Sequence, residues 1–239
     1  MAMGPDPRLM TRAQAATADR DVGLRQYVLR VYNYMTGGLA VTGIIAYVIG
    51  TNPSFYQVVY GTPLAWVVMF APLVLVMVFS FRIAKMSFGA AQAVFWAFSA
   101  LMGVSLSYIF VVYTGTSIAR VFFITAGTFA AMSLYGYTTK RDLTAMGSFL
   151  FMGLIGIVIA SIVNIFLASS ALSFAISVIG VLVFTGLTAY DTQKIKSIYS
   201  ELDGADIVGK KAIMGALTLY LDFINLFMIL LQLFGNRRD

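Results

Sequence analysis

The chain has no cysteine and no histidine. Disulfides, thiolate nucleophiles, haem ligation and the usual zinc or copper sites are therefore excluded. So is the side chain that most often titrates near neutral pH. Proton chemistry has to use Asp, Glu, Lys or Tyr. Charge is also scarce: Asp, Glu, Lys and Arg make up 11% of 239 residues, while hydrophobic residues make up 60%. A soluble domain carries about 25% charged residues. So few charges cannot clothe a water-facing surface, and lipid is the solvent for most of this one. The net charge of +6 is scattered, with no basic module, and does not point to nucleic acid.

The charges that remain divide the chain. None occurs over 31–81, 86–119, 121–139 or 143–190, and over 212–236 the only one is Asp222. A span needs about 20 apolar residues at 1.5 Å each. The blocks accommodate seven, placed near 32–50, 63–81, 91–112, 121–139, 147–167, 172–193 and 213–234. Gly50-Thr51-Asn52-Pro53-Ser54 and Ala168-Ser169-Ser170 supply the turns inside the two longest blocks. Runs of this length exceed a barrel strand, so the expected class is an all-α integral membrane protein, a seven-transmembrane helix bundle. Residues 1–30 read as a cytoplasmic N-terminal tail, disordered to about Asp19, with 20–34 as an amphipathic lead-in; 31–236 form the transmembrane domain.

Basic and non-basic loops alternate. Arg8, Arg12, Arg20, Arg25 and Arg30 precede the first span; Arg82 and Lys85, then Lys140 and Arg141, then Lys194 to Lys211 follow on the same side. This places the N-terminus in the cytoplasm. Arg237-Arg238 break the pattern: seven full spans put that tail outside, and a re-entrant last segment puts it inside. Ser99, Gly103 and Ser107, and Gly156 with Ala160, recur every four residues and predict close helix packing.

An acid in the bilayer core costs about 2.5–3.5 kcal/mol on insertion scales and needs a reason to be there. Asp222 lies mid-span, with Thr218 at i−4 and Asn225 at i+3 on one helical face; this polar stripe should face the bundle interior. Its plainer reading is a protonated acid acting as helix glue. Asp191 ends the preceding block with Thr188 at i−3, and its plainer reading is a span boundary. If the sixth helix continues to about Lys196, the two carboxyls meet. They cannot both ionise cheaply at low dielectric, so they would share a proton and latch the spans together. Arg82, ending span two, is the natural counter-ion for an ionised Asp191, or equally a positive-inside anchor.

Leu219-Tyr220-Leu221-Asp222-Phe223-Ile224-Asn225-Leu226-Phe227 resembles the last-helix signature of the Bax inhibitor-1 family, and Tyr190-Asp191-Thr192-Gln193 resembles its sixth-helix motif. The resemblance covers about residues 25–235 and looks bacterial. It implies a bundle with a central last helix, in the bacterial inner membrane. It implies a pH-sensitive calcium leak channel whose di-aspartate sensor matches Asp191 and Asp222, with Arg82 as the first aspartate's partner. Some relatives carry a buried glutamate in span two; this chain has no acid there. Two aspartates, Thr188, Asn225 and carbonyls would make a weak, partly hydrated Ca2+ site, suited to passage, and no cofactor is expected to be tightly bound. The family also implies an alternative, a regulator of a membrane-anchored quality-control protease or a stress response, with the N-terminal tail as its handle. A proton-coupled transporter is a third reading. An enzyme is not expected: neither aspartate sits in the Gly-x-Gly-Asp pattern of aspartyl intramembrane proteases, and no P-loop occurs.

Overall fold

The computed structural model describes residues 12–238, with side chains from Asp21 onward. Residues 1–11 of the expected tail, the first part of the expected handle, lie outside the described residues. From Arg12 the backbone is helical without interruption into the first span: α1 covers Arg12–Thr51. No proline occurs between them, and the Ala-rich start favours a helix. Segment 12–30 is thus one helix with the span it precedes.

Asn52 stops α1 and starts α2 (Pro53–Tyr60): its Oδ1 accepts from the Ser54 and Phe55 amides, and Pro53 occupies the first helical position. Then follow α3 (Leu64–Arg82) with a 3-10 turn at Ile83–Lys85, α4 (Phe88–Leu106), α5 (Ile109–Val112), α6 (Gly115–Thr138), α7 (Thr144–Leu167), α8 (Ser170–Ser197) and α9 (Ala205–Phe234). Ser87 and Ser169 cap α4 and α8 through their hydroxyls. Ala168 takes the left-handed conformation (φ 47°) that closes α7. Among the described residues, seven helical stretches are long and apolar enough to cross a membrane, and each overlaps a charge-free block read from the sequence. The third is broken near its end, between α4 and α5, where the Tyr60 hydroxyl lies 2.7 Å from the Ser105 carbonyl and 3.1 Å from that of Val104.

α9 is the axis of the bundle. Its most apolar stretch is 67% buried, against 6% for α7, and it packs on α1, α4, α6 and α8. It runs 30 residues unbroken, about 45 Å of helix, so the last segment crosses fully and does not re-enter. The tail confirms the end at which it emerges: Arg238 N donates to Val112 O at 2.9 Å and Thr114 N donates to Asn236 O at 3.0 Å, beside the α5–α6 turn. Arg237-Arg238 therefore share an end with Arg120, opposite Arg25, Arg82, Lys140 and Lys194.

Close approach is made where the small residues are. A Cβ on Gly38 would meet Ser99, and one on Gly103 would meet Ile45 and the Thr42 carbonyl, so α1 and α4 pack almost backbone to backbone. The predicted row at Gly156 does not pack. That residue is exposed, with open space around it, because α7 sits at the edge of the bundle.

Candidate functional site: an acid pair in a side recess

The end of α8 is tied to its neighbours by consecutive side chains. The Tyr190 ring fills the space over Gly147 of α7. Thr192 Oγ1 reaches Ser133 Oγ of α6 at 3.5 Å. Gln193 Oε1 accepts from Leu143 N at 2.9 Å, and its Nε2 donates to Arg141 O at 2.8 Å. Between these anchors Asp191 is half-buried and directed at α9, where Asp222 is buried at 6% exposure. α8 continues to Ser197, which satisfies the condition for the two acids to meet. Their carboxyl groups are in side-chain hydrogen-bonding contact. One proton between them makes that contact attractive. The Asp222 Oδ2 is buried without another hydrogen-bond partner among the described residues.

The pair lies in a recess of about 620 Å³ with walls from α7, α8 and α9. Ser148, Phe151 and Asn225 are exposed wall residues, so it is open to the flank of the bundle between α7 and α9. Apart from the acids, its titratable lining groups are Tyr190 and Lys194. Lys194, one turn beyond Asp191, is the cation whose field reaches it.

The other residues expected at the site are placed unevenly. Thr218 lines the recess, its hydroxyl donating to Met214 O at 3.1 Å. Asn225 lines it too but is exposed, with Nδ2 on Leu221 O; it looks out of the bundle where the sequence suggested the interior, because among the described residues no helix covers that side of α9. Thr188 is fully buried, donates to Phe184 O at 2.8 Å and is absent from the recess walls. Arg82 is exposed at the end of α3, which packs on α4, and it makes no ion pair among the described residues. Among those residues there is no cluster of three or more acids.

Sequence reasoning missed one buried polar chain. Thr42 Oγ1 of α1 donates to Ser99 O of α4 at 2.8 Å and lies 2.7 Å from the Tyr220 hydroxyl of α9. Thr42 has a single proton, already given to Ser99 O, so Tyr220 is the donor in the second bond. The clue was a Tyr and a Thr in mid-span, each of which needs a partner in lipid.

The family model for the inhibitor of apoptosis-promoting Bax1 matches residues 24–239. The chain belongs to the Bax inhibitor family. Its relatives include an uncharacterized protein of Rickettsia prowazekii, 54% identical over 92% of this chain and 93% of the relative. The Escherichia coli inner membrane protein YbhL is 51% identical over 90% of this chain and 94% of its own length. An uncharacterized membrane protein of Streptococcus pyogenes is 38% identical over 90% and 95%. A Bax inhibitor family member of this composition is an integral membrane protein in contact with the bilayer, and the acid pair stands inside the region that the family model covers.

Proposed function

We propose that the protein is a pH-sensitive cation leak, with calcium as its transported ion, gated by the Asp191–Asp222 pair. The observation that carries the reading is carboxyl-to-carboxyl contact between α8 and the central α9 at the floor of a recess. While one proton is shared, the two helices are latched. Its loss leaves two like charges a hydrogen-bond length apart at low dielectric, and they repel. Lys194 and Tyr190 are the other titratable groups facing the recess. Lys194 is the better candidate to hold an ionised Asp191, in place of Arg82.

The recess reaches only to Asn225. Nine residues of α9 remain beyond Asn225, the last being Phe234, about 14 Å of helix, so this conformation reads as closed. Asp191, Asp222, the Thr218 hydroxyl and the Asn225 carbonyl oxygen offer a small oxygen set. Calcium takes six to eight oxygens, so an ion here would keep water, which favours passage over storage. The basic end of the bundle is assigned to the cytoplasm on loop charge, and the membrane to the bacterial inner membrane on the likeness to YbhL.

Asp222→Asn tests the latch. An amide donates to the Asp191 carboxylate at any pH, so the substitution supplies the bond without the proton. In proteoliposomes, wild-type calcium flux should rise between pH 5 and 8, while the variant's flux stays low and flat. A variant that keeps the wild-type pH response would reject the role.

A further inference from the structure

A second feature lies on another side of α9. α1 and α6 stand apart, and the furrow between them is floored by Phe223, Ile224 and Phe227 of α9. Three recesses run along it, of about 440, 560 and 300 Å³. They are continuous: Tyr32 and Ala130 wall both the first and the second, and Leu39 and Gly43 both the second and the third. On α1 the furrow extends from Arg25 to Ala46. That is about 32 Å of helix, the thickness of a bilayer's hydrocarbon core.

The furrow is mostly apolar and carries no charge except at one end. There Arg25 forms its wall, exposed and without an ion pair among the described residues. Lys196 stands against Tyr137, another wall residue, its Nζ donating to Tyr137 O at 2.9 Å and lying 4.8 Å above the Tyr137 ring. This end is level with the ends of α6 and α8, where headgroups lie. Two cations at the mouth of an apolar slot complement a molecule with an anionic head and a hydrocarbon chain.

We propose that the α1–α6 furrow is a binding site for an anionic phospholipid, its phosphate between Arg25 and Lys196 and one acyl chain in the slot past Ala130. The charge favours a lipid over a helix: the basic end suits a phosphate, and the rest of the furrow wall carries no charged residue to pair with a peptide. A basic side chain at the membrane surface is worth about fivefold in binding an anionic lipid.

The test uses the full chain in neutral detergent. It is titrated with phosphatidylglycerol, phosphatidylcholine of the same acyl composition, or glycerol phosphate, and bound lipid per chain is read by native mass spectrometry. Wild type should retain one phosphatidylglycerol, at least about fivefold more tightly than phosphatidylcholine, and no glycerol phosphate. Arg25→Gln should bring phosphatidylglycerol down toward phosphatidylcholine. Ala130→Phe places a ring in the slot from an exposed position and should weaken retention of both lipids. Circular dichroism melting of each variant shows whether it is folded, and Lys196→Gln gives a second reading of the head site if Arg25→Gln is not. Equal retention of the two lipids by wild type overturns the proposal. So does retention of glycerol phosphate alone, unchanged binding in both folded variants, or a dimer whose formation excludes lipid.

Discussion

The chain Tyr220–Thr42–Ser99 ties the axis helix to α1 and α4, and its direction makes an asymmetric prediction. Tyr220 is 0% and Thr42 4% exposed, so neither group can turn to water. Tyr220→Phe deletes one donor and leaves Thr42 still bonded to the Ser99 carbonyl; the loss is that of one interhelical bond in a membrane protein, about 0.6 kcal/mol. Thr42→Val keeps the shape but strands the Tyr220 hydroxyl in an apolar interior. An unsatisfied buried group costs about 1–3 kcal/mol. The double variant removes both polar groups and leaves no orphan, so it should be more stable than Thr42→Val alone. Unfolding of the detergent-solubilised protein with increasing dodecyl sulfate, followed by circular dichroism, gives the four corners of the cycle. The reasoning is refuted if Tyr220→Phe costs as much as Thr42→Val, or if the double variant is the least stable of the set.

Gly136 faces the backbone carbonyl of Ala189, which a Cβ would strike. Because a backbone cannot swing aside, Gly136→Val should cost about 1–3 kcal/mol or more by overpacking. Gly43→Ala, into open space, should be neutral or stabilising by up to about 1 kcal/mol; the same melts compare them. Gln193→Leu removes both bonds to the α6–α7 turn and should speed hydrogen exchange over 141–144 while leaving α9 protected. Asp142 accepts from the Thr144 hydroxyl at 2.6 Å and amide at 2.9 Å, which hold its carboxyl below the ordinary 3.8. A depressed folded value means that the contact's contribution is complete above 3.8 and fades as pH falls through the lower folded value. Carbon NMR of labelled aspartate should therefore find its midpoint below 3.8, and Thr144→Val should raise it.

The span count was legible because the requirement for lipid solvation is local: a stretch either contains charges or it does not. The turns were legible for the same reason, since Asn52-Pro53 and Ser169 act on amides two or three residues away. The acid pair was half legible. The cost of burying Asp222 could be priced from its sequence neighbours alone, and the proximity of Asp191 followed only if α8 ran on past it. The direction in which each polar side chain looks was not legible, because helical periodicity groups residues on a face without saying what covers it. Thr218 and Asn225 share a face with Asp222 and both reach the recess, yet Asn225 is exposed. Thr188 shares a face with Asp191 and is sealed against its own helix.

The sequence by itself determined that this is a helical membrane protein with seven crossings and an acid in its last one, since composition and the spacing of charges settle which stretches can live in hydrocarbon. The tertiary structure alone decided that α9 is the axis and that Asp191 touches Asp222. It also decided that Lys194 rather than Arg82 stands near them, that Tyr220 hangs from Thr42, and that a slot remains between α1 and α6. These depend on which helices pack side by side and at what rotation, and such contacts join residues up to 178 positions apart that no local pattern connects.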